Sequence, residues 1–476
     1  MNIQKNQIFT VKITDMGTDG EGIGHLEDSG ALSGNGYTLF VKDAVLGDTV
    51  RAKVVKPKKG YAFARLEEVL EPSPDRVEPV CAYARQCGGC QLQAVSYEKQ
   101  LAFKDRKVKN NLIRIGGFAP DFVEEIMEAP VGMEHPFHYR NKAQFPVGMD
   151  KNGRLIAGFY AGRTHTIIEN RDCALGVAEN KIVLDIVLDF CTEKKIPAYD
   201  ETTGKGLLRH VLIRKGFSTG QIMVCLILNG SSFAAEQELA DRLFEKVPGM
   251  TSFSVNSNTE RTNVIMGSKT RTIRGEDRIE DTIGGLVFTI SPQSFYQVNP
   301  VQTAVLYGLA VDAARLTGKE TVLDAYCGIG TIGLTAADHA KQVVGVELNR
   351  DAVQDAIGNA RHNGVKNARF FAADATRWIS EAAAAGEKAD VIFMDPPREG
   401  STPEFLASVA RMAPKRVVYV SCNPVTLARD LATLTKLGYK AEGFTPVDMF
   451  PHTEHIETVC ALSKLEIHRK KPSGKR

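Results

Sequence analysis

The sequence predicts an α/β chain of several domains: a small N-terminal β-barrel, a mixed α+β central region and a C-terminal doubly wound, Rossmann-like sheet. Three observations predict it. At 476 residues the chain is too long for one core, and roughly 150 residues per domain gives about three domains. The first 70 residues alternate short β-prone runs with glycine-rich turns. From about residue 291, strand and helix patterns alternate, as they do in a parallel sheet covered by helices on both faces.

Residues 1–70 read as the barrel, with strands at Gln7–Thr14, Thr38–Val41, Thr49–Lys53 and Tyr61–Val69 and a turn at Gly17–Gly24. Pro72, Pro74 and Pro79 mark a linker. Residues 75–290 form the central domain. It opens with a cysteine cluster and a charged helix at Ser96–Gly116, followed by strand-like runs at Leu155–Phe159, Leu207–Arg214 and Gln221–Leu228 and a helix at Ser232–Val247. Residues 291–465 carry the alternating pattern, with strands at Thr321–Ala325, Gln342–Val346, Ala368–Ala372, Val391–Met394 and Arg416–Val420. Residues 466–476 are a basic tail.

Composition excludes several classes. With 43% hydrophobic and 24% charged residues the chain is neither disordered nor membrane-embedded. The apolar run Lys181–Cys191 is broken by Asp185 and Asp189 and is too short to span a bilayer, and Met1–Thr10 has no apolar signal core, so a cytoplasmic protein is expected. The net charge of +2 imposes no global field, although Arg51, Lys53, Lys56, Lys58, Lys59 and Arg65 crowd one segment. Taken alone, that segment reads as a solvated face; phosphate contact is the sharper alternative. Nine cysteines in such a chain argue for metal or catalytic roles rather than a disulfide framework.

The strand Thr321–Ala325 runs into Tyr326-Cys-Gly328-Ile-Gly330-Thr-Ile-Gly333, a G-x-G-x-x-G loop that opens a helix. Glu347 ends the next strand, where a carboxylate can accept hydrogen bonds from ribose hydroxyls. Asp324 precedes the loop, and Asp374 follows the third strand, where an adenine-contacting acid is expected. An acid before the loop suits S-adenosylmethionine, which is cationic and has no pyrophosphate to cradle. The plainer reading is that these acids only cap helices; three of them at successive strand ends favour the cofactor.

The next two strands end in Asp395-Pro-Pro-Arg398 and Ser421-Cys422-Asn-Pro424, at the sheet edge where such folds bind ligands. A free cysteine there could be buried filler, but its polar neighbours favour a nucleophile. Methylation of a pyrimidine C5 needs one. A thiolate adds to C6, C5 becomes nucleophilic enough to take a methyl group, and a base then removes the C5 proton. Glu457, at the head of an apolar run, is the candidate base if buried and an ordinary strand glutamate if not.

These motifs resemble those of the bacterial 23S rRNA (uracil-5)-methyltransferase family. The residues that carry the resemblance are Asp395–Gly400, Ser421–Asp430, His452-Thr-Glu-His-Ile-Glu457 and Ser291–Asn299, and it extends across essentially the whole chain, with residues 1–70 resembling an RNA-binding TRAM barrel. The resemblance implies Cys422 as nucleophile and Glu457 as base. It implies Gln297, Tyr326, Glu347 and Asp395 as cofactor positions, with Gln297 and Asp395 also near the uracil and Phe295 packing on a flipped base. With Asp324, Gly328, Gly330 and Asp374 these make up the expected cofactor site. The Ser96–Gly116 helix is implied to pack on the catalytic domain.

Cys81, Cys87 and Cys90 form C-x5-C-x2-C, and Cys173 lies far along the chain. Four thiolates can hold zinc or an iron–sulfur cluster; spacing alone leans to zinc, whereas the resemblance implies a [4Fe–4S] cluster. Cys191, Cys225, Cys327 and Cys460 read as buried packing. His138-Tyr-Arg140-Asn-Lys142 mixes an aromatic ring with cations, a pattern that suits single-stranded RNA, so Arg140 and Lys142 are expected substrate contacts. Leu208-Arg209-His210 and Arg214 could do the same or be an ordinary strand face. The expected activity is methylation of uracil C5 in 23S rRNA, with no membrane and no evident obligate protein partner. The rivals are a tRNA T-loop uracil methyltransferase, an RNA cytosine C5 methyltransferase, and an RNA-binding assembly factor without catalysis. Cys422, Glu457 and the complete glycine loop argue against the last.

Overall fold

The computed structural model describes residues 3–26 and 36–465, so the basic tail at 466–476 lies outside the described residues. The N-terminal strands β1 (Ile8–Met16), β2 (Gly22–Leu26), β3 (Tyr37–Lys42), β4 (Thr49–Pro57) and β5 (Tyr61–Glu71) close into a barrel of order β1-β2-β3-β5-β4. Strand β2 begins inside the segment expected to be a turn. Its glycines serve strand packing, because a Cβ on Gly24 would run into Val11 and lie 2.7 Å from the Lys12 carbonyl. Alternating inward residues such as Val11, Leu39, Val50 and Ala62 fill the interior.

Two helices follow, α1 (Tyr97–Arg114) and α2 (Pro120–Ile126). Their buried residues Val108, Leu112 and Val123 join the apolar core of the C-terminal sheet, beside Phe444. Lys107 Nζ, on α1, also donates to the Thr18 carbonyl of the barrel at 2.9 Å.

The central unit comprises β6 (Lys142–Met149), β7 (Leu155–Tyr160), β8 (Ile167–Glu169), α3 (Glu179–Glu193), β9 (Leu208–Lys215), β10 (Ile222–Leu228), α4 (Glu236–Lys246), β11 (Met250–Ser257) and β12 (Lys269–Gly275). Its strands form one sheet of order β12-β11-β10-β9-β6-β7-β8, with α3 and α4 covering one face. A hairpin, β13 (Ile279–Ile283) and β14 (Leu286–Ile290), comes next. Its Ile279, Phe288 and Ile290 pack with Ile329 and Ile332 of the C-terminal unit.

The C-terminal unit runs α5 (Pro300–Ala314), β15 (Thr321–Ala325), α6 (Thr331–Ala336), β16 (Gln342–Glu347), α7 (Arg350–His362), β17 (Ala368–Ala372), α8 (Ala375–Ala384), β18 (Val391–Met394), α9 (Pro403–Met412), β19 (Arg416–Ser421), α10 (Pro424–Lys436), β20 (Tyr439–Val447) and β21 (Glu457–Lys464). The sheet order is β17-β16-β15-β18-β19-β21-β20. Five strands are parallel, as the alternation predicts, but β21 inserts antiparallel between β19 and β20. The cause is the connection: β20 and β21 are joined by a loop with no crossover helix, and a parallel neighbour would need one. The reversal starts β21 where β19 ends, with Thr458 opposite Ser421. Among the described residues, no helix is long and apolar enough to cross a membrane.

Candidate active site

Order reverses in the C-terminal sheet between β15 and β18, which opens a crevice at their carboxyl ends. A cavity of about 1100 Å³ occupies it. Phe295, Gln297, Asp324, Tyr326, Gly328, Glu347, Asp374, Asp395, Cys422 and Glu457 all line this cavity. Gly330 does not line it; with φ +85 it caps α6 and lets the loop turn under the crevice.

Three of the four expected cofactor acids have a structural duty as well. Asp324 accepts from the Gly333 amide at 2.8 Å, Glu347 from Gly328 at 3.1 Å, and Asp374 caps α8 through the Arg377 amide at 2.9 Å. Asp324 Oδ1 is left buried without a partner, an acceptor suited to a cation. Burial, together with the charges of Asp395 and Glu347, pushes the Asp324 carboxyl up to about 7.

Cys422 follows β19 and Glu457 opens β21, so the antiparallel pairing brings thiol and carboxyl to one end of two neighbouring strands. Glu457 is buried, and desolvation followed by the Asp395 charge holds its carboxyl well above the usual range. Burial, then the charges of Glu457 and Asp395, push the Cys422 thiol up to about 11. Burial likewise raises Asp395 to about 7. Arg398 opposes this: its cation lowers both Cys422 and Glu457. Sequence reasoning quoted Arg398 in its motif without a role; its place after the strand-end Asp395 was the available signal. Tyr307, Phe450 and His455 also line the cavity and were missed.

The loop from 291 to 299 is anchored at both ends. Ser294 Oγ donates to Asp355 at 2.9 Å, and Asn299 caps α5 while its amide donates to the Met449 carbonyl at 3.0 Å. Between these anchors the Phe295 ring stands 65% exposed on the cavity wall, open to a flat ligand. The 450–454 segment before Glu457 is held as firmly. Lys104 donates to the Phe450 carbonyl at 3.0 Å and Tyr139 to that of Pro451 at 3.0 Å. Gln91 and Leu92 amides both donate to the His452 carbonyl at 3.0 Å, and Phe137 stacks on the His452 ring at 4.1 Å.

Residues 255–465 match the family described as tRNA (Uracil-5-)-methyltransferase, and residues 4–66 match the TRAM domain. An RNA methyltransferase of Halalkalibacterium halodurans is 47% identical over 97% of this chain and 98% of its own. One of Clostridium tetani is 43% identical over 97% of each. The chain belongs to the RNA uracil-5-methyltransferase family. Among solved structures, the Pyrococcus abyssi tRNA (uracil-54, C5)-methyltransferase in complex with S-adenosyl-L-homocysteine is similar, with a TM-score of 0.76 and 26% identity over 95% of this chain and 100% of that one. The protein is thus an S-adenosylmethionine-dependent RNA methyltransferase, and its orphaned Asp324 oxygen and ring of acids fit a sulfonium cofactor.

The other expected positions fall elsewhere on the methyltransferase. Arg140 and Lys142 line a separate cavity of about 240 Å³ rather than the crevice. Tyr139 is buried and cannot stack on a base. Arg209 and Arg214 are not surface RNA contacts. Arg209 donates to the carbonyls of Asn258 and Glu260 at 2.7 and 2.8 Å and packs over Tyr199, and Arg214 donates to the Ser294 carbonyl. His210 is buried, which pushes its imidazole down to about 4, so it is neutral. Cys191, Cys225, Cys327 and Cys460 are all buried.

Among the described residues, no group of three or more His, Cys, Asp or Glu side chains is arranged to hold a metal ion. Cys81, Cys87, Cys90 and Cys173 are nevertheless neighbours. Burial, and after it the charge of Cys81, raises Cys87 and Cys173, and burial followed by the charges of Cys173 and Cys87 pushes Cys90 up to about 12. Several N–H groups point at the sulfurs, among them Gln93 Nε2 at 3.2 Å from Cys90 and the Gly89 amide at 3.4 Å from Cys87.

Proposed function

We propose that this methyltransferase acts on C5 of a uracil in 23S ribosomal RNA, with Cys422 as nucleophile and Glu457 as base. The observation that carries the chemistry is the meeting of one thiol and one buried carboxyl, at the ends of neighbouring strands, in the cavity lined by the cofactor acids. When bound, S-adenosylmethionine supplies an electrophilic methyl group on a cationic sulfur. Asp324, Glu347, Asp374 and Asp395, with Gln297, Tyr326 and the glycine loop, hold that cofactor. The exposed Phe295 ring stacks on the flipped uracil, and Gln297 and Asp395 reach its polar edge.

In the reaction, the Cys422 thiolate bonds to C6 and the ring's electron pair moves to C5, which takes the methyl group. The Glu457 carboxylate then removes the C5 proton. The C6–Sγ bond breaks, restores the C5–C6 double bond and returns the thiolate. Both groups must lose a proton that the resting site favours keeping. The Arg398 cation promotes that loss at both of them.

We assign Cys81, Cys87, Cys90 and Cys173 to a [4Fe–4S] cluster. The supporting observation is the donor set: four neighbouring thiols with N–H groups directed at sulfur. Methyl transfer moves no net electrons, so the cluster's role is to lock the Cys81–Cys90 loop. The Gln91 and Leu92 amides that directly follow that loop hold the His452 carbonyl. Anaerobic purification with iron, sulfide and zinc assays tests it; stoichiometric zinc without sulfide would overturn it.

Ribosomal RNA as substrate rests on the family motifs and the retained cysteines. The rival reading, tRNA, is favoured by the name of the similar Pyrococcus enzyme. Mass-spectrometric mapping of 5-methyluridine in cells with and without the gene decides. Loss of 5-methyluridine from 23S rRNA alone is expected, and loss from the tRNA T-loop alone would overturn the rRNA assignment.

A further inference from the structure

We propose that Lys142, Arg140 and Asn180 form a second RNA site that holds the phosphate and ribose of one nucleotide, outside the crevice that takes the reacting base. It rests on the reading of the crevice as an RNA methylation site.

Lys142 opens β6 directly opposite Arg214 of β9. Burial and the like charges of Arg214 and Arg140 act on it, no carboxylate enters the balance, and the ammonium is pushed down to about 8. Nearby cations are treated differently: Lys215, next to Arg214, pairs with Glu179 at 2.6 Å, and buried Lys104 pairs with Asp448 at 2.6 Å. Two half-buried cations set beside the buried Arg214 are costly without an anion, so the arrangement calls for one from outside.

The space is there as well. Arg140, Lys142 and Asn180 line the cavity of about 240 Å³, with Cys173, Ile265 and Val298. Arg140 Nε has no partner, and Asn180, 2% exposed, has an unpartnered side-chain oxygen. Two cations suit a phosphate, and an acceptor beside them suits the 2′-hydroxyl of the attached ribose.

Position ties this cavity to the crevice. Val298 lines both. Asn141, between Arg140 and Lys142, donates its amide N–H to the Val298 carbonyl at 2.9 Å and its side chain to the Gln297 carbonyl at 3.0 Å. The proposed path of the strand runs from the crevice past Val298 to this cavity.

The test uses the full-length enzyme and an RNA oligonucleotide that it methylates. Single neutral methylphosphonate linkages and single 2′-deoxy sugars are walked along the strand. Lys142→Gln is expected to weaken RNA binding roughly tenfold and to lower the salt slope by about one, while Lys142→Arg retains binding. One linkage should cost the wild type the same factor and cost Lys142→Gln nothing further. One deoxy sugar should behave likewise toward Asn180→Ala. S-adenosylhomocysteine affinity checks that each variant is folded. Losses that add at every linkage would overturn the site. Inorganic phosphate that binds RNA-free enzyme through Lys142, with no coupled linkage, would overturn the RNA assignment in favour of a free anion. An oligonucleotide that is never methylated faults the functional reading, whereas methylation without coupling faults this site alone.

Discussion

The C-terminal sheet places its acids and its thiol at or just beyond the ends of its strands, whereas the central sheet carries Lys142, His210 and Arg214 along one face. In the first, Asp395 and Cys422 project from loops into a crevice, and each strand interior is free to pack. In the second, the alternation of β9 sends Val211 and Ile213 into the core beneath α3 and α4, and His210, Leu212 and Arg214 to the opposite face. Strand-end residues thus serve chemistry without disturbing the sheet. Strand-face cations must find carbonyl partners, lose their charge or wait for an anion, and Arg209, His210 and Lys142 illustrate the three outcomes in turn.

The largest test of this contrast removes the strand-end thiol. Cys422→Ala should lower methyl incorporation by roughly 10³-fold or more while RNA affinity stays close to that of the wild type. Full turnover would remove Cys422 from the mechanism. Next, Glu457→Gln should slow turnover by roughly 10²–10⁴-fold and accumulate a covalent RNA–protein adduct, visible on a denaturing gel. Normal turnover without adduct would free Glu457 of the base role.

A smaller effect is expected at Arg398. Cys422 and Glu457 are acids held above their ordinary values and act when deprotonated, so the rate should climb as pH rises. Arg398→Gln removes the cation that lowers both groups. The rising limb should therefore move to higher pH, at a cost of about tenfold in rate at neutral pH for each unit moved. An unshifted limb would show that the Arg398 field does not reach the thiol.

The smallest catalytic effect is predicted on the central sheet. Arg209→Met strands the carbonyls of Asn258 and Glu260, so stability should fall by about 1–3 kcal/mol in denaturant melts. The KM for RNA should stay within about twofold of wild type. A large KM change with intact stability would return Arg209 to the substrate surface.

The cofactor half was legible because its signals are local: a strand, a glycine loop and an acid at the next strand end lie within one short stretch, and their spacing carries the geometry. The barrel was legible apart from β2, whose glycines read as a turn when only the neighbouring strand explains them. Arg209, Arg214 and Tyr139 were misread for one reason. Alternation says which residues share a face, but not whether that face meets solvent, RNA or another segment of the same chain. The hairpin at Ile279–Ile290 shows the same limit, since its affiliation depends on which core it packs against.

By itself the sequence determined the chemical inventory: the glycine loop, the acids at successive strand ends, a cysteine after a strand and a glutamate opening another. Those choices are written in residue type and local spacing. Only the tertiary structure decided that Cys422 and Glu457 share one end of the sheet. β21 lacks a crossover helix and must run antiparallel, which starts it where β19 stops. The structure alone also separated Lys142 and Arg140 from the crevice and left their charge unanswered, because the balance of buried charges depends on what the fold packs around each cation.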